Sequence, residues 1–376
     1  MKIIVLGGGM VGSVMAADLS KDFEVTCADL NAEVLRSIES KLNVKTLQVD
    51  FSKSEEIKKA IAPFDLVIGA VPGFLGFEML KAVIESGKNI ADISFFPEDP
   101  FLLDELAKKN NVTAIVDCGV APGMCNMIAG FYNSRMKITS YECLVGGLPI
   151  VRSKPYEYKA PFSPIDVLEE YTRPARYVEN GKMITKEALT DVEQVYFENV
   201  GTVEAFNTDG LRSLAVTMPH IPNMIERTLR YPGHADMMRG FRETGFFSKE
   251  KIKVKNAEVA PIDLVSKLLF SSWKYQPGEE DFTIMRVTIE GEDKAGKVKY
   301  IYSLYDRYDK ETEVMSMART TGYTCTAAAR LILGQKLQRK GILPPEFIGE
   351  SEKGFDFVIN YLKERKVFYS KEEIRS

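Results

Sequence analysis

The run Lys2-Ile-Ile-Val-Leu6 is apolar enough for a buried parallel strand, and it opens directly into Gly7-Gly8-Gly9-Met10-Val11-Gly12. A helical pattern through Ala16, Ala17 and Leu19 follows. This is G-x-G-x-x-G with a strand before it and a helix after it, the context in which the glycines bind a dinucleotide. Gly7 permits the tight turn, Gly9 lets a pyrophosphate approach the backbone, and Gly12 lets the helix pack close to the strand. The exposed N–H groups of the helix start, at Met10 and Val11, then face the phosphates. The second strand, Phe23–Ala28, ends in Asp29-Leu30. An acid about 20 residues past the glycines accepts hydrogen bonds from the adenosine ribose. Its charge repels a 2′-phosphate, so NAD is expected rather than NADP.

At 376 residues the chain is long enough for two domains. The formal net charge of −4 argues against nucleic-acid binding as the main role. The first residues run straight into a core strand, and no apolar run reaches the ~18 residues of a membrane span. No leader is expected, and the expected location is cytoplasmic. Five widely spaced cysteines without a C-x-x-C pair read as buried thiols, so neither a disulfide framework nor a metal site is expected. Sparse glutamine beside abundant lysine and glutamate is compatible with a thermophilic source.

Over residues 1–125, strands near 2–6, 23–28, 44–49, 65–70, 89–93 and 112–116 alternate with helices near 10–20, 31–41, 53–61, 74–86 and 99–109. That alternation predicts a doubly wound α/β Rossmann domain with a parallel sheet. Ligands in such sheets sit at the carboxyl ends of the strands. Asp50 and Phe51 after the third strand, and Ala70-Val71-Pro72 after the fourth, are therefore candidate cofactor contacts. Residues 126–317 change to a strand-rich pattern, read as an inserted α+β domain. Its expected strands are 140–145, 175–179, 194–197, 203–206, 282–290 and 299–306, and its expected helices 164–171, 210–217, 234–245 and 261–271. Residues 292–296 read as a hairpin turn. Residues 318–376 read as helices returning to the first domain.

A second domain after a dinucleotide domain is expected to hold substrate in a cleft. Four stretches carry candidate chemistry. Gly146-Gly147 precedes a turn and suggests a close backbone approach, to a ligand or to the chain. Tyr156 to Ser163 interleaves aromatic and polar residues and could wrap an aliphatic ammonium group, or pack as core. Asn207, Thr208 and Asp209 end a strand and either cap the next helix or face substrate. Arg230 and His234 lie in Arg227–Asp236; a guanidinium fork suits a substrate carboxylate, and a surface ion pair is the plainer reading. H-E-x-x-H, G-x-S-x-G and P-loop patterns do not occur.

The chain resembles the saccharopine dehydrogenase and L-lysine 6-dehydrogenase superfamily over essentially its whole length. The resemblance rests on Gly7–Gly12 with Asp29, Val120-Ala121-Pro122-Gly123, Gly146-Gly-Leu-Pro149, Gly201-Thr-Val-Glu-Ala205, Thr228-Leu-Arg-Tyr-Pro-Gly-His234, Gly322-Tyr323 and Gly341-Ile-Leu-Pro344. It looks most similar to the lysine 6-dehydrogenase branch. It implies NAD-dependent oxidation of the lysine ε-carbon to an imine, then allysine and ammonia, by a homodimer. Ala121 stands where the glutamate-forming branch is expected to carry an acid. In this reading Arg230 holds the α-carboxylate, with Asn207, Thr208 and Gly147 lining the substrate site. His234 and, through water, Tyr158 are the candidate bases, with Asp117 in reserve. Pro122 joins the expected cofactor contacts. A glutamate-forming saccharopine dehydrogenase or related carboxyalkyl-amine reductase is the alternative activity. A non-catalytic NAD-binding sensor or scaffold is the alternative from another class.

Overall fold

A computed structural model describes residues 1–375. In chain order it begins with β1 (Lys2–Leu6), α1 (Met10–Leu19), β2 (Glu24–Asp29), α2 (Ala32–Lys41), β3 (Lys45–Gln48), α3 (Ser54–Ile61) and β4 (Leu66–Gly69). It continues through α4 (Gly73–Glu85), β5 (Asn89–Asp92), α5 (Asp104–Lys109), β6 (Thr113–Ile115) and α6 (Met124–Asn133). The inserted region holds β7 (Lys137–Pro149), α7 (Pro164–Thr172), β8 (Ala175–Glu179), β9 (Lys182–Lys186), β10 (Glu193–Phe197), β11 (Gly201–Asn207) and α8 (Leu214–Thr217). After these come β12 (Met224–Arg230), α9 (His234–Glu243), β13 (Ile252–Val254), β14 (Ala257–Val259), α10 (Pro261–Trp273), β15 (Asp281–Asp293) and β16 (Gly296–Arg307). The chain ends with α11 (Ser316–Leu333), β17 (Gly341–Leu343), α12 (Glu346–Gly349), α13 (Glu352–Glu364) and β18 (Tyr369–Arg375).

Two units result, Met1–Arg135 with Met317–Phe368, and Met136–Ser316 with the segment from Tyr369. The first is built on a parallel sheet in the order β17-β6-β5-β4-β1-β2-β3. Strand order reverses between β1 and β4, the switch point where doubly wound sheets bind ligands. Ile3, Ile4, Val5 and Leu6 are fully buried, as expected for a strand covered on both faces. The second unit is a mixed sheet in the order β10-β11-β12-β7-β15-β16-β18, with β8 and β9 off that path. Here β12 runs parallel to β7 and the other pairings are antiparallel. Along β16 buried and half-exposed residues alternate, the pattern of a sheet with one covered face. The fold is therefore α/β, a parallel Rossmann sheet with a second, mixed sheet.

Several elements differ from the sequence-based expectation. The first unit continues past residue 125 to Arg135, because α6 packs on α12 so closely that a Cβ on Gly130 would lie 2.0 Å from the Glu346 carbonyl oxygen. The hairpin loop is tighter than residues 292–296. Asp293 pairs with Gly296, its carboxylate accepts from the Ala295 N–H at 2.8 Å, and Gly296 takes φ of 115°. The helix expected at 210–217 is only Leu214–Thr217, since Arg212 sits at φ 49° and interrupts helical backbone. The last residues are not helical: β18 pairs with β16, and Arg375 meets Asp293 at 2.9 Å.

One buried charge ties the returning helices to α1. Asp18, 1% exposed, accepts from Thr326 Oγ1 at 2.7 Å, Tyr361 Oη at 2.5 Å and Arg365 Nε at 2.8 Å. Removing one partner of a buried ion pair leaves an uncompensated charge and costs about 3–5 kcal/mol. Asp18→Ala should destabilise the protein by about that amount in urea titration followed by fluorescence. A loss below about 1 kcal/mol would remove Asp18 as the anchor.

Candidate functional site

The glycine-rich turn has the shape a pyrophosphate needs. Gly7 adopts φ of 108°, and a Cβ there would lie 2.2 Å from the Ala70 carbonyl oxygen. A Cβ on Gly12 would lie 1.9 Å from the Gly7 carbonyl oxygen, so α1 can approach β1 only with glycine at this position. Around Gly9 a Cβ would meet no heavy atom within 4 Å, so the backbone is open where a ligand would approach. Gly9 caps α1 without a side-chain bond, leaving the first N–H groups of the helix to a ligand. Asp29 braces the turn: its Oδ2 accepts from Gly8 N and its Oδ1 from Asn31 N, both at 2.8 Å. Met10 and Leu30 are exposed at the rim of this region. These features fit a dinucleotide.

Other expected cofactor contacts have different employment. Asp50 accepts from Ser52 N at 3.0 Å and Ser52 Oγ at 2.6 Å, and it pairs with Lys53 at 3.2 Å, at the start of α3. The Ser52 hydrogen bonds, with Lys53, hold its carboxyl below the usual range. Phe51 is a correction: its ring is 6% exposed and belongs to the core, leaving no free face for an adenine. Val71 is likewise buried, while Ala70 is half-buried and Pro72 caps α4. Pro122 lies in a closed turn whose carbonyl accepts from Gly119 N at 3.0 Å.

At the ends of β5 and β6 two acids are buried. Asp117 is 3% exposed and sits at φ 52°. Asp92 is fully buried; its Oδ1 accepts from Ser94 N at 3.0 Å and Ser94 Oγ at 2.7 Å, and its Oδ2 has no partner. Burial, with a smaller contribution from Asp117, pushes Asp92 up to about 7 against the opposing Ser94 bonds.

The second unit gathers the remaining candidates on the sheet face that carries Arg230. Arg230, 2% exposed, gives Nε to Tyr171 Oη at 3.1 Å and one terminal nitrogen to the Leu229 carbonyl at 2.9 Å. The other terminal nitrogen meets Glu170 Oε2 at 2.9 Å and Tyr158 Oη at 3.4 Å. The Tyr158 ring lies under the guanidinium, 4.5 Å from its centroid to Cζ. The free fork expected for a substrate carboxylate is thus filled by the protein's own Glu170.

His234 extends this network. Its Nδ1 lies 3.0 Å from the Tyr156 carbonyl, which only accepts, so Nδ1 carries the proton. Its Nε2, 2.9 Å from Tyr171 Oη, is then the acceptor. Burial, aided by the Arg230 charge, pushes His234 down to about 3. Burial pushes the Tyr158 and Tyr171 hydroxyls well above their ordinary range, so both stay neutral donors. Burial also raises Glu170 above the usual carboxylate range, with Arg230 acting against it. Trp273 packs edge-on against Tyr156, Tyr158 and Tyr171 and closes the cluster on one side.

Glu204 fixes the turn that presents His234. It sits directly opposite Arg230 in the β11–β12 ladder and accepts from Gly233 N at 2.8 Å and Ala235 N at 2.5 Å. It thereby caps α9, whose Gly233 offers no side chain.

Asn207, Thr208 and Gly147 do not join Arg230 in a substrate pocket. The ladder pairs Glu204 with Arg230 and Asn207 with Arg227, so Asn207 points from the opposite face. Its Nδ2 donates to Thr190 Oγ1 and Asp191 Oδ2, both at 3.0 Å. The Thr208 hydroxyl is spent on Thr228 at 2.9 Å. Asp209 holds Arg176 rather than capping α8. Gly147 lies opposite Thr283, while Gly146 serves the chain, since a Cβ there would lie 2.6 Å from the Leu229 carbonyl oxygen. Sequence reasoning did not single out Glu170, Tyr171, Glu204 or Trp273. The signal for Glu204 was its place in the strand ahead of Asn207; Glu170 has no sequence signal beyond an acid on an amphipathic helix.

The profile described as "Saccharopine dehydrogenase NADP binding domain" matches residues 3–115, and that described as "Saccharopine dehydrogenase C-terminal domain" matches residues 119–367. The chain belongs to the saccharopine dehydrogenase family. The mitochondrial alpha-aminoadipic semialdehyde synthase of Bos taurus is 23% identical over 419 residues, covering 92% of this chain and 45% of that protein. The chain thus spans about half the length of that relative. The saccharopine dehydrogenase [NADP(+), L-glutamate-forming] of Schizosaccharomyces pombe is 24% identical, covering 91% of this chain and 93% of the relative. Among solved structures, apo saccharopine dehydrogenase (L-Glu forming) from Saccharomyces cerevisiae superposes with a TM-score of 0.79 at 18% identity over 100% of both chains. Homospermidine synthase from Legionella pneumophila, in complex with NAD, gives 0.68 at 13% identity, over 99% of this chain and 91% of that one. Both structures share the fold. The family's first domain binds a nicotinamide dinucleotide, and among the described residues no helix is long and apolar enough to cross a membrane.

The Asp92 environment gives a pH signature. Its folded-state value of about 7 lies above the unfolded value near 3.8, so the folded protein keeps a proton that the unfolded chain releases. Stability is lost as pH rises through that window and is level above it. The melting temperature of Asp92→Asn, relative to the natural chain, should therefore rise between about pH 4.5 and about pH 8. A pH-independent difference in differential scanning fluorimetry would contradict this.

Proposed function

We propose that the chain catalyses dinucleotide-dependent oxidation of the C–N bond at the ε-nitrogen of lysine or of an N-substituted lysine. The class is supported by family membership over residues 3–115 and 119–367. A bound nicotinamide dinucleotide supplies the hydride acceptor. Gly7–Gly12 would hold its pyrophosphate and Asp29 its adenosine ribose.

Two substrates fit this bond. Saccharopine, oxidised with release of glutamate, is the reading the named relatives favour. Lysine, oxidised to allysine and ammonia, is favoured by one observation: the Arg230 guanidinium is occupied by Glu170 at 2.9 Å. Saccharopine carries more carboxylates than lysine and needs more free cations. The cluster offers one guanidinium against two carboxylates, Glu170 and Glu204, and its tyrosines and histidine are neutral.

The amine must lose a proton before its carbon gives up hydride, and a lysine amine holds that proton up to about pH 10.4. His234, with its Nε2 lone pair engaged by Tyr171 and its pKa near 3, is ill suited to take it. In this reading His234 orients Tyr171, and Tyr171 with Tyr158 orients Arg230. NAD is preferred to NADP because the Asp29 carboxyl group stands where the 2′-phosphate would lie, and its neighbours Leu30 and Asn31 offer no cation to it.

Following NADH absorbance with lysine, saccharopine or neither decides among the readings. NADH formation with an added amine is expected, and its absence with both would defeat the proposal. With the active substrate, kcat/KM should favour NAD over NADP at least about tenfold, and Asp29→Asn should narrow that ratio. A natural preference for NADP would overturn the cofactor assignment.

A further inference from the structure

Glu170 is the member of the charged cluster that reaches the surface. Its side chain is 19% exposed, against 3% for Arg230, so a ligand arriving at this cluster meets the carboxylate before the guanidinium. The carboxylate is held in place by Arg230 at 2.9 Å. Tyr158 stacks on the same guanidinium, and Tyr171, the residue after Glu170 on α7, receives its Nε. Glu170 is therefore a positioned carboxyl group beside an aromatic wall. Arg230 and Arg173 act on Glu170 as cations and Asp166 as an anion. The accessible Glu170 carboxylate is a partner for a cation.

We propose that Glu170 is a specificity-determining residue that receives the α-ammonium group of the amino-acid substrate. The proposal rests on the lysine-type reading given above and deepens it. The α-ammonium stays charged throughout the reaction, whereas the ε-nitrogen must become neutral. A carboxyl group locked to a buried guanidinium at 2.9 Å suits the permanent cation. Arg230 then acts through Glu170, as a positioning residue that holds the carboxyl group aimed and opposes the effect of burial on it.

Calorimetry on the full chain with NADH bound measures ligand affinity without turnover. The probes are lysine, saccharopine and 6-aminohexanoate, which is lysine without its α-ammonium. Glu170→Gln keeps the side-chain size and an oxygen for Arg230 but removes the charge. It should weaken lysine or saccharopine binding at least about tenfold, leave 6-aminohexanoate within about twofold, and leave NADH affinity unchanged. Glu170→Asp should recover part of the loss. That pattern supports the assignment even if neither amine yields NADH, so the reaction reading can fail alone. Unchanged lysine and saccharopine affinity in Glu170→Gln would overturn the assignment while turnover by the natural chain keeps the reaction reading. An equal loss for 6-aminohexanoate would overturn it by moving Glu170 to the ε-nitrogen. A natural chain that binds neither amino acid overturns both.

Discussion

The buried guanidinium of Arg230 is the constraint on which the second unit's polar cluster depends. A cation removed from water is costly unless every donor finds an acceptor. Here Nε goes to Tyr171, one terminal nitrogen to the Leu229 carbonyl, and the other to Glu170. Each acceptor is in turn fixed. Tyr171 accepts from Arg230 and donates to His234, and His234 donates to the Tyr156 carbonyl. The hydrogen-bond directions leave no second arrangement that satisfies all four groups. Glu204, opposite Arg230 in the ladder, caps the helix that starts at His234. The order of these side chains therefore comes from one buried charge and its partners, while Glu204 fixes the helix start.

The first unit solves a different problem with backbone rather than side chains. Its turn brings α1 against β1 and β4 with no room for a Cβ at Gly7 or Gly12, while Gly9 faces open space. Asp29 spends one oxygen on Gly8 N and the other on Asn31 N, so this acid holds the loop in shape. The likeness to saccharopine dehydrogenase covers both units, and at 18% identity it speaks to their fold. The proposed cofactor and substrate preferences draw instead on local chemistry: the Asp29 carboxyl group and the occupied guanidinium of Arg230.

Much of the first unit was legible because its signals are local. Strands and helices through Ile115 follow from hydrophobic period, and the turn follows from glycine spacing. The second unit was less so. The strand β9, at the periphery of its sheet, and β18, at its edge, are short and largely exposed, and neither carries a clear apolar alternation. Asn207 and Arg230 looked like neighbours in a pocket, but the pairing of Asn207 with Arg227 puts them on opposite faces, a fact of register that no single strand displays. Phe51 read as a ligand contact beside Asp50 and is core, because the chain turns inward there. Above all, the sequence displays Arg230 and His234 but not their partners. Glu170 and Tyr171 come from a helix some sixty residues earlier, and only tertiary packing reveals that the fork is filled.

The ordered chain from Arg230 to His234 is open to direct observation, since the protein contains only two histidines and the other, His220, is exposed. The decisive measurement is 15N NMR of histidine-labelled protein, with His220→Gln to assign the remaining signal. His234 should stay neutral, with the proton on Nδ1, from about pH 9 down to about pH 5, well below the ordinary midpoint near 6.5. A His234 signal that titrates near that midpoint, or one with the proton on Nε2, would contradict it.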